Sequence, residues 1–413
     1  MPDTARMAEA TLTDEMIEAM KAKIGLELRI DHSTNNEVAT RLAITRFADG
    51  IGDTNLLWRD EAYAAGTVYG RLAAPPSFVI CCFSGLQFGW PGLGSFHANS
   101  ELTFHRPILV GDTINATCTY EGFEGPRRSS FAEKMVVDHF RNRYRNQAGE
   151  LVAEIHWTVV NFERQRAKAK SAERSIELPH PWTDAELEAI ERDVLAEEPR
   201  GAQPRFFEDV NVGDQLGLLT KGPIGTTDEI AFVASGGAPI PRLAAHRAAL
   251  QAYRAHPAWA FRDPDTMALE PIYSVHYNRH AARAMGVAMQ YDVGFQRQCW
   301  HIQLLTDWMG DDGWVVSAEA QYRSFVFLSD VIRLGGRVVA KRISDDGERL
   351  VDIETWAHNQ RGQDVMPGKA TVALPSREHG TKPVQRRMRP GLTRQALFTG
   401  WGPMPAPGNT VRW

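Results

Sequence analysis

The side chains best suited to chemistry near neutral pH lie in two stretches. The first is Gly52-Asp53-Thr54-Asn55-Leu56-Leu57-Trp58, where an acid follows a glycine and an indole closes the run. An indole exchanges no proton near neutral pH, so this stretch holds an acid without a base. The second is Val275-His276-Tyr277-Asn278-Arg279-His280-Ala281-Ala282, followed by Asp292 and by Gly294. Histidine is the side chain whose ordinary pKa suits proton transfer at neutral pH. A glycine opening a helix offers its backbone amide to developing negative charge. Three protic groups lie near His276 or Gly294 in sequence, namely Glu270, Tyr273 and Asp292, and spacing does not choose between them. Each feature also has a packing reading: Asp53 as a turn residue, Asp292 as a helix N-cap, Gly294 as a close-packing position, His276 as a hydrogen-bonded structural histidine. His280 and His301 fall in helical contexts and read as packing or surface groups.

Metal and redox chemistry find no support. The four cysteines (Cys81, Cys82, Cys118, Cys299) have neither metal-ligand spacing nor the density of a disulfide framework, and read as buried reduced thiols. No Gly-rich strand-to-helix dinucleotide fingerprint appears, so no cofactor is expected. A net charge of −5 over 413 residues, with no basic excess, argues against nucleic-acid or membrane-surface partners. The N-terminus is polar and acidic, and no run of about 18 apolar residues occurs. A cytoplasmic protein without membrane span is expected.

The elements that must position these residues centre on 291–310. The stretch runs through Trp300, Ile302, Leu304, Leu305, Trp308 and Met309 with apolar groups on more than one face, then stops at Gly310-Asp-Asp-Gly313. That pattern predicts a buried helix followed by strands. Before it come a capped helix from Thr13, a short strand at 26–30, a helix over about 38–48, and a buried helix over 74–85 whose prolines suit a first turn. Strands are expected from Ser95 to Phe162, broken by Pro107, Gly111-Asp112, a Gly-Pro turn at 125–126 and the hairpin Asn146-Gln-Ala-Gly149. Residues 164–204 read as a linker holding one helix, opened by the capping-box pattern Thr183-Asp-Ala-Glu186. The tail beyond 377 reads as a loop whose Trp401 and Trp413 dock on the body.

An internal repeat organises the whole. Arg106-Pro-Ile-Leu-Val-Gly-Asp112 has a partner in Arg323-Ser-Phe-Val-Phe-Leu-Ser-Asp330, offset by about 218 (330 − 112), and Asn146-Gln-Ala-Gly matches Asn359-Gln-Arg-Gly, offset by about 213 (359 − 146). Upstream, Phe47 matches Phe232 at an offset of about 185 (232 − 47), so the second copy gains about 32 residues after Phe232. The chain reads as two versions of one α+β unit: 1–163, the linker, 205–376 with an insertion at 238–270, and the tail 377–413.

A helix cradled by an antiparallel sheet, repeated in tandem, resembles a double hotdog fold. More narrowly, the chain resembles the MaoC-like, or hydratase 2, family of (R)-specific enoyl-CoA hydratases and 3-hydroxyacyl dehydratases. That family's motif runs Gly-Asp-x-Asn-Pro-(Leu/Ile)-His, with a small residue six after the histidine and a later glycine opening the central helix. In the first half Trp58 stands in place of the histidine. In the second, the offset of 218 (276 − 58) places the histidine at His276, the small residue at Ala282 and the helix-opening glycine at Gly294. Pro76, opposite Gly294, has no amide hydrogen. Pro271 stands where the second-half aspartate belongs, leaving Asp53, Tyr273, Glu270 and Asp292 as candidate acids.

The resemblance implies an acyl-CoA substrate, hydrated or dehydrated without metal or redox cofactor. His276 would act as base and Gly294 as polarising donor. The insertion carries Arg242 and Arg247 beside Leu243 and Leu250, a combination suited to covering a bulky acyl group and meeting CoA phosphates. Two alternatives stand beside this: a non-catalytic acyl-CoA-binding or partner subunit, and a hotdog thioesterase. Two fused units already complete the usual pair, and a further homodimer is compatible with the fold.

Overall fold

In the computed structural model, residues 10–28, 36–85, 89–128, 134–163, 176–237, 247–380 and 382–388 are described. One antiparallel sheet of ten strands runs through both halves of the molecule. The first half supplies β1 (Glu27–Leu28), β2 (Gly94–Phe104), β3 (Asn115–Arg127), β4 (Met135–Arg145) and β5 (Leu151–Phe162). The second supplies β6 (Gln215–Lys221), β9 (Trp314–Gln321), β10 (Ile332–Ile343), β11 (Arg349–Asn359) and β12 (Gly368–Ala373), while β7 (Ala260–Arg262) and β8 (Leu269–Pro271) form a separate hairpin. The strand order is β1-β3-β4-β5-β2-β9-β12-β11-β10-β6, so the halves join edge to edge through β2 and β9. At that seam Glu101 lies opposite Glu319, its own counterpart at the repeat offset of 218 (319 − 101), which places a pseudo-twofold axis between them.

The helices are α1 (Asp14–Lys21), α2 (Arg41–Ile51), α3 (Glu61–Ala65), α4 (Val79–Cys82), α5 (Asp184–Leu195), α6 (Thr226–Ala234), α7 (Arg247–Ala255), α8 (Arg279–Met285), α9 (Gly294–Met309) and α10 (Pro383–Met388). α9 is the expected buried helix: from Phe295 to Met309 only Asp307 escapes full burial. It packs against β6, β9 and β10. Several of its buried polar side chains find partners across the core. Gln298 Oε1 accepts from the hydroxyls of Ser100 (2.9 Å) and Tyr322 (3.1 Å), and Trp300 Nε1 donates to the Ile51 carbonyl (3.0 Å).

The repeat is visible bond by bond. Asp112 Oδ2 accepts from Leu109 N (2.8 Å), as Asp330 Oδ2 accepts from Phe327 N (3.0 Å). Gln147 Nε2 donates to Asp112 Oδ1 and Gln360 Nε2 to Asp330 Oδ1. Bridges join Ala73 to Leu109 and Tyr291 to Phe327, both at an offset of 218 (291 − 73). Ala39 N donates to the Asp112 carbonyl as Ile224 N does to that of Asp330, which reproduces the upstream offset of 185 (224 − 39).

Two elements differ from expectation. The helix expected over 74–85 is a 3₁₀ turn at Pro76–Phe78 running into the four-residue α4. The chain leaves the helix because Phe83 is extended (φ −165°, ψ 112°), its carbonyl held by the Tyr144 hydroxyl. Gly85 follows at φ +101°, where an added Cβ would sit 2.7 Å from the Trp157 ring. The turn expected at 125–126 lies inside β3, which absorbs Gly125-Pro126 as an irregularity in its pairing with β4. α5 opens as its capping box predicts, with Thr183 N donating to Glu186 Oε2 (2.9 Å). The expected helix over 242–254 is α7, described from Arg247; residues 238–246 and the tail tryptophans lie outside the described residues.

Candidate active site

His276 closes a 3₁₀ turn (Ile272–His276) that leads into α8. Asn278 caps α8, its Oδ1 accepting from the amides of His280 (2.9 Å) and Ala281 (3.1 Å). Its Nδ2 donates to Asp263 Oδ2 (2.7 Å), which ties the insertion to the turn. His276 Nδ1 lies 2.8 Å from the Tyr291 carbonyl. A carbonyl only accepts, so Nδ1 carries the proton and Nε2 the lone pair. The ring sits between Tyr273 (centroids 4.8 Å apart) and Tyr291 (4.9 Å). Burial lowers its pKa, partly offset by its bond to the Tyr291 carbonyl and by Asp292. The imidazole is therefore neutral at pH 7, the state a general base requires.

α9 begins beside it. Val293 is the N-cap residue and gives no side-chain cap, so the amides of Gly294 and Phe295 find no carbonyl in the helix they open. Gly294 also meets His97 of β2 from the other half: a Cβ there would sit 2.9 Å from His97 Nδ1. His97 stacks on Tyr322 (4.3 Å) and Phe295 (4.5 Å), and its Nε2 faces the Asn99 carbonyl at 3.1 Å. The close-packing role of Gly294 is thus real and coexists with a free helix N-terminus.

The candidate acids fall in different places. Asp292 is spent on Arg297: Nε to Oδ2 at 2.7 Å and Nη2 to Oδ1 at 2.6 Å, both side chains buried. Arg297 Nη1 is further held by the carbonyls of Ser324 (3.2 Å) and Val365 (3.1 Å), so the pair is a fixed bidentate clamp. Glu270 lies on β8 opposite Phe261, its pKa raised by partial burial and by Asp263 of the insertion. The Tyr273 hydroxyl is buried without a partner.

Asp53 belongs to another neighbourhood, where burial raises its pKa, opposed by the Asn55 amide, the Trp58 indole and Lys221. Asp307 of α9 is in that group too. It lies 13 positions along the helix from Gly294 (307 − 294), about 20 Å at ~1.5 Å per residue. Asp53 and His276 therefore stand at opposite ends of α9 and form no dyad. Arg247, at the start of α7, is exposed, and Arg242 lies outside the described residues.

One buried acid escaped notice in the sequence. Glu229 of α6 is fully buried, and its Oε2 accepts from Val293 N (3.3 Å) at the residue before Gly294. Burial raises its pKa well above the ordinary range, with Asp292 adding to the effect. The offset of 185 would have found it, because it sets Glu229 against Ile44 (229 − 44), a core residue of α2.

The matching region of the first half is a small cavity walled by Trp58, Pro76, Val79, Phe104, Met309 and Trp314. It offers no imidazole and no amide at position 76. Among the described residues no helix is long and apolar enough to cross a membrane.

Two hotdog units sharing one continuous sheet, with a histidine at the N-terminus of the second central helix, define a double-hotdog protein. Residues 23–155 match the model of the FAS1-like dehydratase domain region. A UPF0336 protein of Parafrankia sp. is 32% identical over 119 residues, 27% of this chain and 75% of that protein. A probable enoyl-CoA hydratase alpha subunit of Thermomonospora curvata is 24% identical over 170 residues, 36% of this chain and 51% of its own. The 3-oxo-4,17-pregnadiene-20-carboxyl-CoA hydratase alpha subunit of Mycobacterium tuberculosis is 23% identical over 137 residues, 29% of this chain and 43% of its own. This chain thus spans about half or less of both alpha subunits. Among solved structures, a MaoC-like dehydratase aligns at TM-score 0.59 with 17% identity, covering 86% of this chain and 99% of the other. A Mycobacterium tuberculosis protein described as a double hotdog aligns at 0.50 with 13% identity, covering 85% and 96%. The chain belongs to the family of the UPF0336 proteins, and its fold is the double hotdog of the MaoC-like dehydratases.

Proposed function

We propose that this protein adds water across a trans-2-enoyl-CoA, or removes it from the 3-hydroxyacyl-CoA, at the second-half site. One observation carries the reading: His276, neutral and with its lone pair on Nε2, stands beside the uncapped N-terminus of α9. In that arrangement Nε2 takes a proton from water as its oxygen attacks Cβ, while the amides of Gly294 and Phe295 meet the charge growing on the thioester oxygen. Both requirements fail in the first half, where Trp58 and Pro76 occupy the matching positions.

The insertion favours a bulky acyl group. Phe261 of β7 packs with Val275, Tyr291 and Phe327 in one apolar cluster over the site, and Arg247 stands exposed nearby in sequence, suited to a CoA phosphate. The likeness to a mycobacterial 3-oxo-4,17-pregnadiene-20-carboxyl-CoA hydratase alpha subunit agrees with a large ring system.

The test is a panel of trans-2-enoyl-CoA thioesters, short to polycyclic, followed by loss of enoyl absorbance. Turnover on at least one member is expected, falling by about two orders of magnitude or more in His276→Ala. A second reading, an acyl-CoA-binding partner subunit, draws on Pro271 at the motif-aspartate position and on the alpha-subunit names of two relatives. Wild type that binds the thioesters yet turns over none would select it, and release of free CoA would indicate a thioesterase instead.

A further inference from the structure

Four buried side-chain atoms without a hydrogen-bond partner lie on the elements that meet near the start of α9: Glu229 Oε1, the Tyr273 hydroxyl, Ser274 Oγ and Gln296 Oε1. They come from α6, the 3₁₀ turn and the first turn of α9, and other bonds tie these elements together there. Glu229 Oε2 holds Val293 N, Gln296 Nε2 donates to the Asp228 carbonyl (3.2 Å), and His276 Nδ1 holds the Tyr291 carbonyl. Unpartnered polar atoms are rare in a folded interior and gather where something else completes their bonds.

The repeat supplies an internal control. At the Glu229 position the first half has Ile44, fully buried, so this place on the helix is a core position that an apolar residue fills without cost. A carboxyl there is retained against packing. Of the other acids near His276, Asp292 is committed to Arg297, and Glu270 sits half-buried on the insertion hairpin opposite Phe261, away from the elements that meet at Val293.

The geometry points to Glu229 as the acid of the second-half site, with Oε2 anchored on the Val293 amide and Oε1 facing the bound thioester. The assignment rests on the hydratase reading. In the forward step an O–H bond of water breaks and the O–Cβ bond forms, with the proton passing to His276 Nε2. The electron pair of the Cα–Cβ double bond moves to Cα and takes the Glu229 proton. Imidazolium and carboxylate then exchange one proton through solvent and the site is reset. Dehydration runs through the same two residues in reverse. The groups facing Glu229 are Asp228 on its own helix, Asp292 and Arg297 from α9 and the residues before it, and Tyr273 from the turn. Burial and the two aspartates keep Glu229 protonated, while the Val293 amide and Arg297 oppose them. Glu229 is sealed from solvent, so binding has to open the packing around it.

The test pairs turnover with infrared difference spectroscopy on wild type, Glu229→Gln and Glu229→Asp, with circular dichroism confirming the fold. Expected in Glu229→Gln are a fall in kcat of about 10²-fold at a KM within about twofold, and loss of the alkaline limb of the pH profile, with partial recovery in Glu229→Asp. Octanoyl-CoA should shift the protonated-carboxyl band of wild type, and Glu229→Gln should lack that band. Active wild type with Glu229→Gln turning over within about threefold of it would overturn the assignment and leave the hydratase reading intact. Inert wild type whose band still shifts on octanoyl-CoA would end the hydratase reading and keep Glu229 as the ligand-facing acid. Inert wild type with an unmoved band would end both.

Discussion

At the residue scale, Gly294 serves two demands that can be separated. Its Cα abuts His97 from the other half, and its amide opens α9. Alanine keeps the amide but places a methyl 2.9 Å from His97 Nδ1 and 3.3 Å from His97 Cβ. An overpacked core site typically costs ~1–3 kcal/mol, against up to about 1 kcal/mol regained from the better helix propensity of alanine. Gly294→Ala should therefore lower Tm and turnover together. The same substitution in a His97→Ala background should recover most of both, since the methyl then has room. A thermal-melt and kcat cycle over the four proteins checks this. Additive effects would mean that the contact with His97 is not what requires glycine. His276 and Gly294 were legible in the sequence because the repeat aligned them with Trp58 and Pro76. Glu229 was legible only as a carboxyl set against Ile44 by the upstream offset; its burial and its missing partner are not written in the chain.

At the element scale, α9 announces itself: apolar groups on more than one face, glycine at each end, β-type alternation immediately after. The short α4 does not. Its prolines fit a helix start, but the departure at Phe83 depends on the Tyr144 hydroxyl 61 positions away in sequence, which no local pattern encodes. The insertion was legible as a gain of residues and as a basic, partly apolar helix. Its β7–β8 hairpin was not, since strands of three residues carry no periodicity. What joins this insertion to the site is Asn278, which caps α8 and holds Asp263 at 2.7 Å. Asn278→Ala removes the cap, costing ~1 kcal/mol of stability, and releases the hairpin as well. If the hairpin covers the acyl group, KM should rise several-fold for the bulkiest thioesters of the panel and little for the shortest. An equal rise across the panel would show that only the cap matters.

At the scale of the whole molecule, the halves are joined by more than the β2–β9 seam. The carbonyls at the C-terminus of α2, left without helical partners, accept from second-half donors: Ile51 from Trp300 Nε1 (3.0 Å) and Lys221 Nζ (3.4 Å), Gly52 from Gln303 Nε2 (3.3 Å) and Lys221 Nζ (3.3 Å). Gly50 presses on Ser235, its own counterpart across the pseudo-twofold axis, so closely that a Cβ would lie 2.6 Å from Ser235 Oγ. Four ionisable groups meet at this junction, Asp53 from the first half, Glu197 from the linker, and Lys221 and Asp307 from the second. Three carboxyls around one lysine cannot all stay charged at low cost, and the group that yields is Asp307. Burial, with Asp53 adding to it, pushes its pKa up to about 8, and one of its oxygens has no hydrogen-bond partner. In the unfolded chain an aspartate ionises near pH ~4. Between those values the folded protein holds a proton that the unfolded chain has lost. The contribution of this group is thus complete below about pH 4 and drains away as pH rises toward about 8. Asp307→Asn keeps a neutral side chain at every pH. Its Tm should fall less steeply than that of wild type between pH 5 and 8, and should exceed it at pH 8. Parallel curves would mean that Asp307 is already ionised in the folded protein, its charge matched by Lys221, and that the linker acid Glu197 carries the junction's proton instead.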